Sequence, residues 1–306
     1  MMDSPLIVIL GATAMGKTRV AAHVAYLSGG EIISADSRQI YRGMDIGTGK
    51  DYHDYLVDNQ KIPCHLIDIH EPGDTYNVYR FQKDFRAAYE DIMERGKQAI
   101  LCGGTGLYIQ AVLENFTLTS IPSDETQRKT LLKKSKEELV KQVEGYHFPD
   151  GFQPDISSIK RLIRAIEIGE YLKSNPPRKN NEANLNYIIF GISTESETRR
   201  LWITERLKHR IEIGLIDEVR QLLEGGIEPD LLRFYGLEYR YVTDHLEGVL
   251  SEKELFEKLK VAIHQFAKRQ MTWFRKMERE GYTINWLDSE LPLENKIRAI
   301  VDKCSG

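Results

Sequence analysis

Apolar positions along this chain fall into short blocks with two different spacings. PLIVIL (5–10) is a continuous apolar run between proline and glycine, the pattern of a strand buried on both faces of a parallel sheet. TRVAAHVAYL (18–27) then places its apolar residues at helical spacing, and EIISAD (31–36) reads as a second strand. The segment 76–96 is helical and ends on Gly96, QAILCGG (98–104) is a third strand, and TGLYIQAVLEN (105–115) a further helix. After about Phe116 the pattern changes. Residues 124–174 are charged and helical without a clear strand, and KSNPPRKNNEANLN (173–186) reads as a linker around its proline pair. NYIIFGI (186–192) restores strand character, and two long helical stretches follow, 195–224 and 252–280. No internal repeat is visible. The alternation predicts an α/β fold, a parallel sheet with right-handed crossovers flanked by helices. Its core is expected from 1–118 and 185–306, interrupted by an all-helical insertion over 119–184.

Bulk composition adds exclusions. The chain has 306 residues, 29% charged and 41% hydrophobic, with a net charge of −4. A basic surface for nucleic acid must therefore be local. Cys64, Cys102 and Cys304 form no C-x-x-C pair, which fits reduced thiols and argues against a disulfide framework or cysteine-ligated zinc. The N-terminus MMDSPLIVILGA lacks a basic leader, and no later stretch approaches 18 apolar residues. The expectation is a soluble cytoplasmic protein with no membrane contact.

GATAMGKT (11–18) matches G-x-x-x-x-G-K-[ST] with a strand before it and a helix after it. This predicts a P-loop NTPase-like sheet. Gly11, Ala12, Thr13, Ala14, Met15, Gly16, Lys17 and Thr18 would hold a diphosphate, with the amides of 12–18 pointing inward at a helix N-terminus. Lys17 would neutralise phosphate oxygens and the Thr18 hydroxyl would bind Mg²⁺. A hydrolytic P-loop enzyme also needs a carboxylate at a neighbouring strand end. Here QAILCGGTG ends in Gly-Gly-Thr, and no N-K-x-D signature occurs. EIISAD does end in a carboxylate, Asp36. It could bind metal, take a proton from a nucleophile, or simply open a surface turn.

Asp36 begins SADSRQIYRGMDIGTGK (34–50), and with the loop this phrase resembles the tRNA dimethylallyltransferase (tRNA isopentenyltransferase) family, bacterial type. HLIDIHEPGDTYNVYRF (65–81), CGGTGLY (102–108), IKRLIRAIEI (159–168), GLIDEVRQLL (214–223) and AKRQMTWFR (267–275) are similar to further family segments, in order, from about residue 6 to 288. The resemblance implies transfer of a dimethylallyl group from its diphosphate to the exocyclic amine of the adenosine 3′ of the anticodon. The cradled phosphate is then a leaving group, and no water needs activating. Such an amine is a poor nucleophile, so a base must take its proton and charge on the departing diphosphate must be stabilised. Asp36 is the candidate base.

By resemblance Arg206 serves the diphosphate, its planar fork suited to two oxygens; Arg210, one turn on, competes for the role. The family's Arg-Ile pair before this arginine is Trp202-Ile203 here. Thr105 would bond adenosine or diphosphate, or cap the following helix. Ser37, Arg38 and Gln39 resemble the adenosine-contacting segment.

For RNA, the basic stretch 158–179 offers Lys160, Arg161, Arg164, Lys173, Arg178 and Lys179, with Arg128 upstream. The last long helix offers Lys268, Arg269, Arg275, Lys276 and Arg279. Its Leu255, Leu259, Ile263, Phe266, Trp273 and Met277 read as a core face, leaving the charged face to meet phosphates or only solvent. A family Gly-Tyr-[Lys/Arg] phrase maps to Glu238, Tyr239 and Arg240, or a gap restores Gly236. No C-terminal zinc-finger pattern is present. The implied partners are the anticodon stem-loop and dimethylallyl diphosphate, the protein acting as a monomer. Competing readings are a small-molecule kinase using ATP, a prenyltransferase for free adenine nucleotides, and a non-catalytic phosphate switch or RNA-binding module.

Overall fold

A computed structural model describes residues 4–149, 152–175 and 185–305. Arg178 and Lys179 lie outside these. The chain divides into two compact units, 1–114 with 184–306, and 115–183.

The larger unit is built on β1 (Leu6–Gly11), β2 (Glu31–Ser34), a hairpin of β3 (Leu56–Val57) and β4 (Gln60–Lys61), β5 (Cys64–His65), β6 (Ala99–Gly103), β7 (Tyr187–Ser193) and β8 (Ile284–Asp288). Six of these form one sheet in the order β5-β2-β6-β1-β7-β8. All its pairings are parallel, for example Val8 beside Leu101 and Ile189. β1 lies inside the sheet and each of its residues is buried, which is why its sequence is apolar without alternation. Two strands of this sheet, like the β3–β4 hairpin, were not expected. β5 has only two residues, and β8 (INWLD) is an edge strand whose mixed composition carries no clear strand signal.

Helices α1 (Lys17–Ser28), α2 (Val78–Glu94) and α3 (Gly106–Leu113) follow β1, β5 and β6. After β7 come α7 (Ser196–Glu212), α8 (Leu215–Glu224), α9 (Pro229–Tyr235), α10 (Leu237–Leu246), α11 (Glu252–Arg279) and α12 (Leu293–Ser305). The expected helix over 195–224 is two helices, because Gly214 takes φ +111° between α7 and α8. α11 starts at a capping box in which Ser251 and Glu254 each bond the other's backbone N–H. Its Leu255, Leu259, Ile263 and Met277 are buried as expected of a core face, whereas Phe266 is exposed. No helix among the described residues is long and apolar enough to cross a membrane.

The smaller unit holds α4 (Glu125–Leu131), α5 (Lys136–Glu144) and α6 (Ile159–Ser174) around Leu139, Val143, Leu162 and Ile166. Glu167 is buried inside it. Arg128 donates to both its oxygens, at 2.7 and 3.2 Å, and Arg164 bonds it at 3.3 Å. Arg164 also donates to the carbonyls of Leu118 and Ile121. Glu167→Gln would break a buried cluster from its centre; we expect about 3 kcal/mol lost, read by urea unfolding of the full chain.

Candidate active site

The segments after β1, β2 and β6 meet at the carboxyl edge of the sheet, the usual place for a ligand in an open α/β sheet. Together with α7, α9, α10 and α11 they enclose a cavity of about 730 Å³. Thr13 to Thr18, Asp36 to Gln39, Thr105, Arg206, Arg210, Arg240 and Arg269 all line it.

The phosphate loop differs from expectation at its start. Gly11 is the last residue of β1, paired with Ile192, and Ala12 is buried; neither reaches the cavity wall. The Thr13 N–H is donated to the Gln270 side chain at 2.9 Å. The cradle therefore consists of Ala14 onward, where Ala14 (φ +64°) and Gly16 (φ +70°) turn the backbone into α1. The Lys17 ammonium donates to the Ala12 carbonyl at 2.7 Å. Burial lowers its pKa, Cys102 and Asp36 act the other way, and Arg206 adds to the lowering. Lys17 and Asp36 are thus electrostatic neighbours in one cavity. Cys102, on the same wall, is pushed up to about 12 by burial and stays a thiol.

Asp36 follows β2, and its Oδ1 accepts the Arg38 N–H at 2.9 Å, a turn that fixes the carboxylate at the strand end. Downstream, residues 37–51 run without regular sheet or helix and are pinned by three side chains, of which Gln39 and Lys50 are buried. Gln39 donates to the Gly49 carbonyl at 3.0 Å and accepts from Ser34 at 3.1 Å. Its amide is committed to the loop, while the residue also lines the cavity. The Lys50 ammonium, fully buried, bonds the Tyr41 carbonyl at 2.6 Å and the carboxylates of Asp45 and Asp68. Glu218 on α8 accepts the N–H groups of Asp45, Ile46 and Gly47 at 2.9, 2.6 and 3.0 Å.

Arg206 and Arg210 are one turn apart on α7 and so share a face. The Gly49 turn (φ +69°) lets both in: a Cβ there would lie 1.8 Å from the Arg210 guanidinium and 2.8 Å from that of Arg206. They differ in what they hold. Arg210 is buried against Glu238 at 3.4 Å, and burial first, then Arg206, brings its pKa down to about 10. Arg206 is more open, pairs with Asp51, and reaches the Thr13 hydroxyl at 3.4 Å. Of the two, Arg206 meets the phosphate loop.

Thr105 stands at the N-cap position of α3 but makes no capping bond; its hydroxyl accepts the Ser37 N–H at 3.2 Å. One residue before it, the Gly104 carbonyl accepts from Gln270 at 2.9 Å. A Cβ on Gly104 would lie 2.4 Å from that amide nitrogen. Gln270 therefore ties α11 to both the phosphate loop and the Gly-Gly-Thr turn. It lay unremarked within AKRQMTWFR. Gln270→Leu strands a part-buried N–H and a buried C=O, so we expect about 1–3 kcal/mol of destabilisation in urea unfolding.

The residues expected to touch RNA separate into classes. Arg240 and Arg269 are exposed at the cavity, where Arg38 lies 5.7 Å from the exposed Phe234 ring and Arg269 5.9 Å from Phe266. Lys268 is exposed on α11. In the smaller unit Lys160 is exposed and Arg161, also exposed, pairs with Asp155. Arg128 and Arg164 are instead engaged on Glu167. Tyr239 is a correction: only 1% exposed, it packs in the core and donates its hydroxyl to Glu218 at 2.8 Å. Glu238 faces the cavity, while Gly236 joins α9 to α10 with φ +156°.

A model of the IPP transferase family matches residues 39–277, and one of isopentenyl transferases matches residues 4–69. The chain belongs to the IPP transferase family. A tRNA dimethylallyltransferase from Bacteroides fragilis is 50% identical over 303 residues, covering 99% of each chain. One from Porphyromonas gingivalis is 51% identical over 97% of this chain and 98% of its own. Among solved structures, the tRNA isopentenylpyrophosphate transferase of Bacillus halodurans aligns with TM-score 0.72 at 31% identity, covering 99% of this chain and 96% of its own. A eukaryotic dimethylallyltransferase acting on tRNA aligns with TM-score 0.73 at 24% identity over 93% of this chain and 73% of its own, a likeness of fold. The parallel sheet flanked by helices is thus the fold of this family, and the chain is an enzyme that transfers prenyl groups.

Proposed function

We propose that the protein moves a dimethylallyl group from dimethylallyl diphosphate to the exocyclic amine of the adenosine 3′ of the tRNA anticodon, releasing diphosphate. One observation carries this reading: Asp36 and the Lys17 loop line a single cavity and act on each other electrostatically. A base and a phosphate cradle in one chamber suit a displacement in which amine and leaving group occupy opposite sides of the same carbon.

In the proposed step the amine nitrogen forms a bond to the allylic carbon, and the carbon–oxygen bond to diphosphate breaks. The electron pair leaves on the diphosphate oxygen and the amine proton passes to the Asp36 carboxylate. Lys17, the amides from Ala14 onward and Arg206 hold the leaving group, stabilising charge where it develops. The Thr18 hydroxyl and the Asp54 carboxylate line the same cavity, hard oxygen donors of the kind that suits Mg²⁺. Thr18 and the diphosphate oxygens would hold the ion, which supplies further positive charge to the leaving group. Arg38, Phe234, Arg240 and Arg269 offer cation and ring faces at the cavity to an unstacked loop nucleotide. We assign the active form as a cytoplasmic monomer.

The test is mass spectrometry of anticodon-loop fragments after incubating the protein with unmodified tRNA, Mg²⁺ and dimethylallyl diphosphate. One adenosine should gain a five-carbon group. Phosphate transfer from labelled ATP with no prenylated RNA would establish the kinase reading instead; prenylation of free adenine nucleotides but not tRNA would establish a prenyltransferase for free nucleotides.

A further inference from the structure

We propose that Asp51 is an intramolecular competitor of the diphosphate for Arg206. The inference rests on the donor reading above. Arg206 places Nη2 on the Asp51 carboxylate and Nη1 toward the Thr13 hydroxyl of the phosphate loop, so one guanidinium spans a fixed anion and the cradle.

Three features fit Asp51 for this role. Its backbone position is set, because the preceding Lys50 is buried with three oxygen partners. Its carboxylate does not serve the short 3₁₀ turn Tyr52–Tyr55 that it precedes, since it makes no capping bond there. Its side chain is about one-third exposed and lines the cavity, so it has room to turn away. Asp54, three residues on, lies close enough that Asp51 and burial together raise its pKa. That carboxylate pair disfavours a third anion beside it.

The electrostatics follow. Arg206 and Arg210 repel across one helical turn, and each is matched by a carboxylate, Asp51 and Glu238 respectively. A diphosphate that takes Arg206 must displace Asp51, and its departure returns Arg206 to that partner. Asp51 thereby weakens donor and product binding together and speeds release. Arg210, buried on Glu238, keeps its partner throughout. Sequence patterns give no hint of this, because the pair joins positions 155 residues apart.

The test measures binding of inorganic diphosphate by calorimetry, with and without Mg²⁺, to the wild-type protein, Asp51→Asn and Asp51→Ala. Both variants should bind diphosphate roughly tenfold tighter, with the same gain from Mg²⁺ as the wild type. In steady-state assays they should show lower KM for the donor and stronger product inhibition by diphosphate. A wild type that binds diphosphate with variants no tighter overturns this inference alone. Variants that lose the Mg²⁺-dependent gain overturn it too, making Asp51 a metal ligand. A wild type that does not bind diphosphate overturns the donor reading and this inference with it.

Discussion

Asp36→Asn should lower kcat roughly 10²–10⁴-fold, the usual worth of a positioned base, while tRNA affinity stays nearly unchanged. Asparagine keeps the size of the side chain and an oxygen that can accept the Arg38 N–H, now at 2.9 Å. The turn that follows β2 and the Ser37 bond to Thr105 can therefore persist. What is lost is the ability to carry away a proton as the nitrogen–carbon bond forms. The loss should appear in kcat, and single-turnover rates at saturating tRNA, together with tRNA binding by filter retention, separate it from binding. A non-catalytic RNA-binding module would be indifferent to the change, so equal turnover removes Asp36 from its role. Equal losses in turnover and tRNA affinity would mean that Asp36 shapes the binding surface.

Asp36 was legible because it stands where a buried strand meets the edge of a sheet, and Lys17 because it sits in a G-x-x-x-x-G-K-[ST] loop between a strand and a helix. Strands covered on both faces are written as short apolar runs, so β1, β2, β6 and β7 could be read directly, and the residue just past each was a natural candidate. Elements without that burial were silent. β5 is two residues long and β8 lies at the sheet edge. The segment 37–51 has no period to read, since Gln39, Lys50 and Glu218 hold it through individual hydrogen bonds rather than a repeated face. Glu218 reaches it from more than 170 residues away. Charge runs misled for the same reason. Arg128 and Arg164 look like free cations until α6 brings Glu167 between them. Tyr239 and Arg240 are adjacent in sequence, yet helical geometry sends one to the core and the other to the surface.

Lys17→Met should weaken diphosphate binding and lower kcat by roughly 10²–10³-fold, the scale of removing one preorganised group from a developing negative charge. Its pH dependence is the sharper measurement. Burial, reinforced by Arg206, lowers the Lys17 pKa below the ordinary lysine value of 10.5 against the opposing pull of Cys102 and Asp36. A bound diphosphate pairs with the ammonium and raises that pKa again. By linkage the affinity gained from this pairing is full while the free protein's Lys17 is protonated, and is lost as pH rises through its depressed pKa. Diphosphate affinity should therefore begin to fall at a lower pH than an ordinary lysine would allow. The comparison that isolates Lys17 is with Lys17→Arg. That variant keeps its charge in alkaline solution and should hold its affinity further up the pH scale than the wild type, although its planar fork fits the loop less well. Superimposable wild-type and Lys17→Arg profiles would show that Lys17 is not the group that meets the diphosphate.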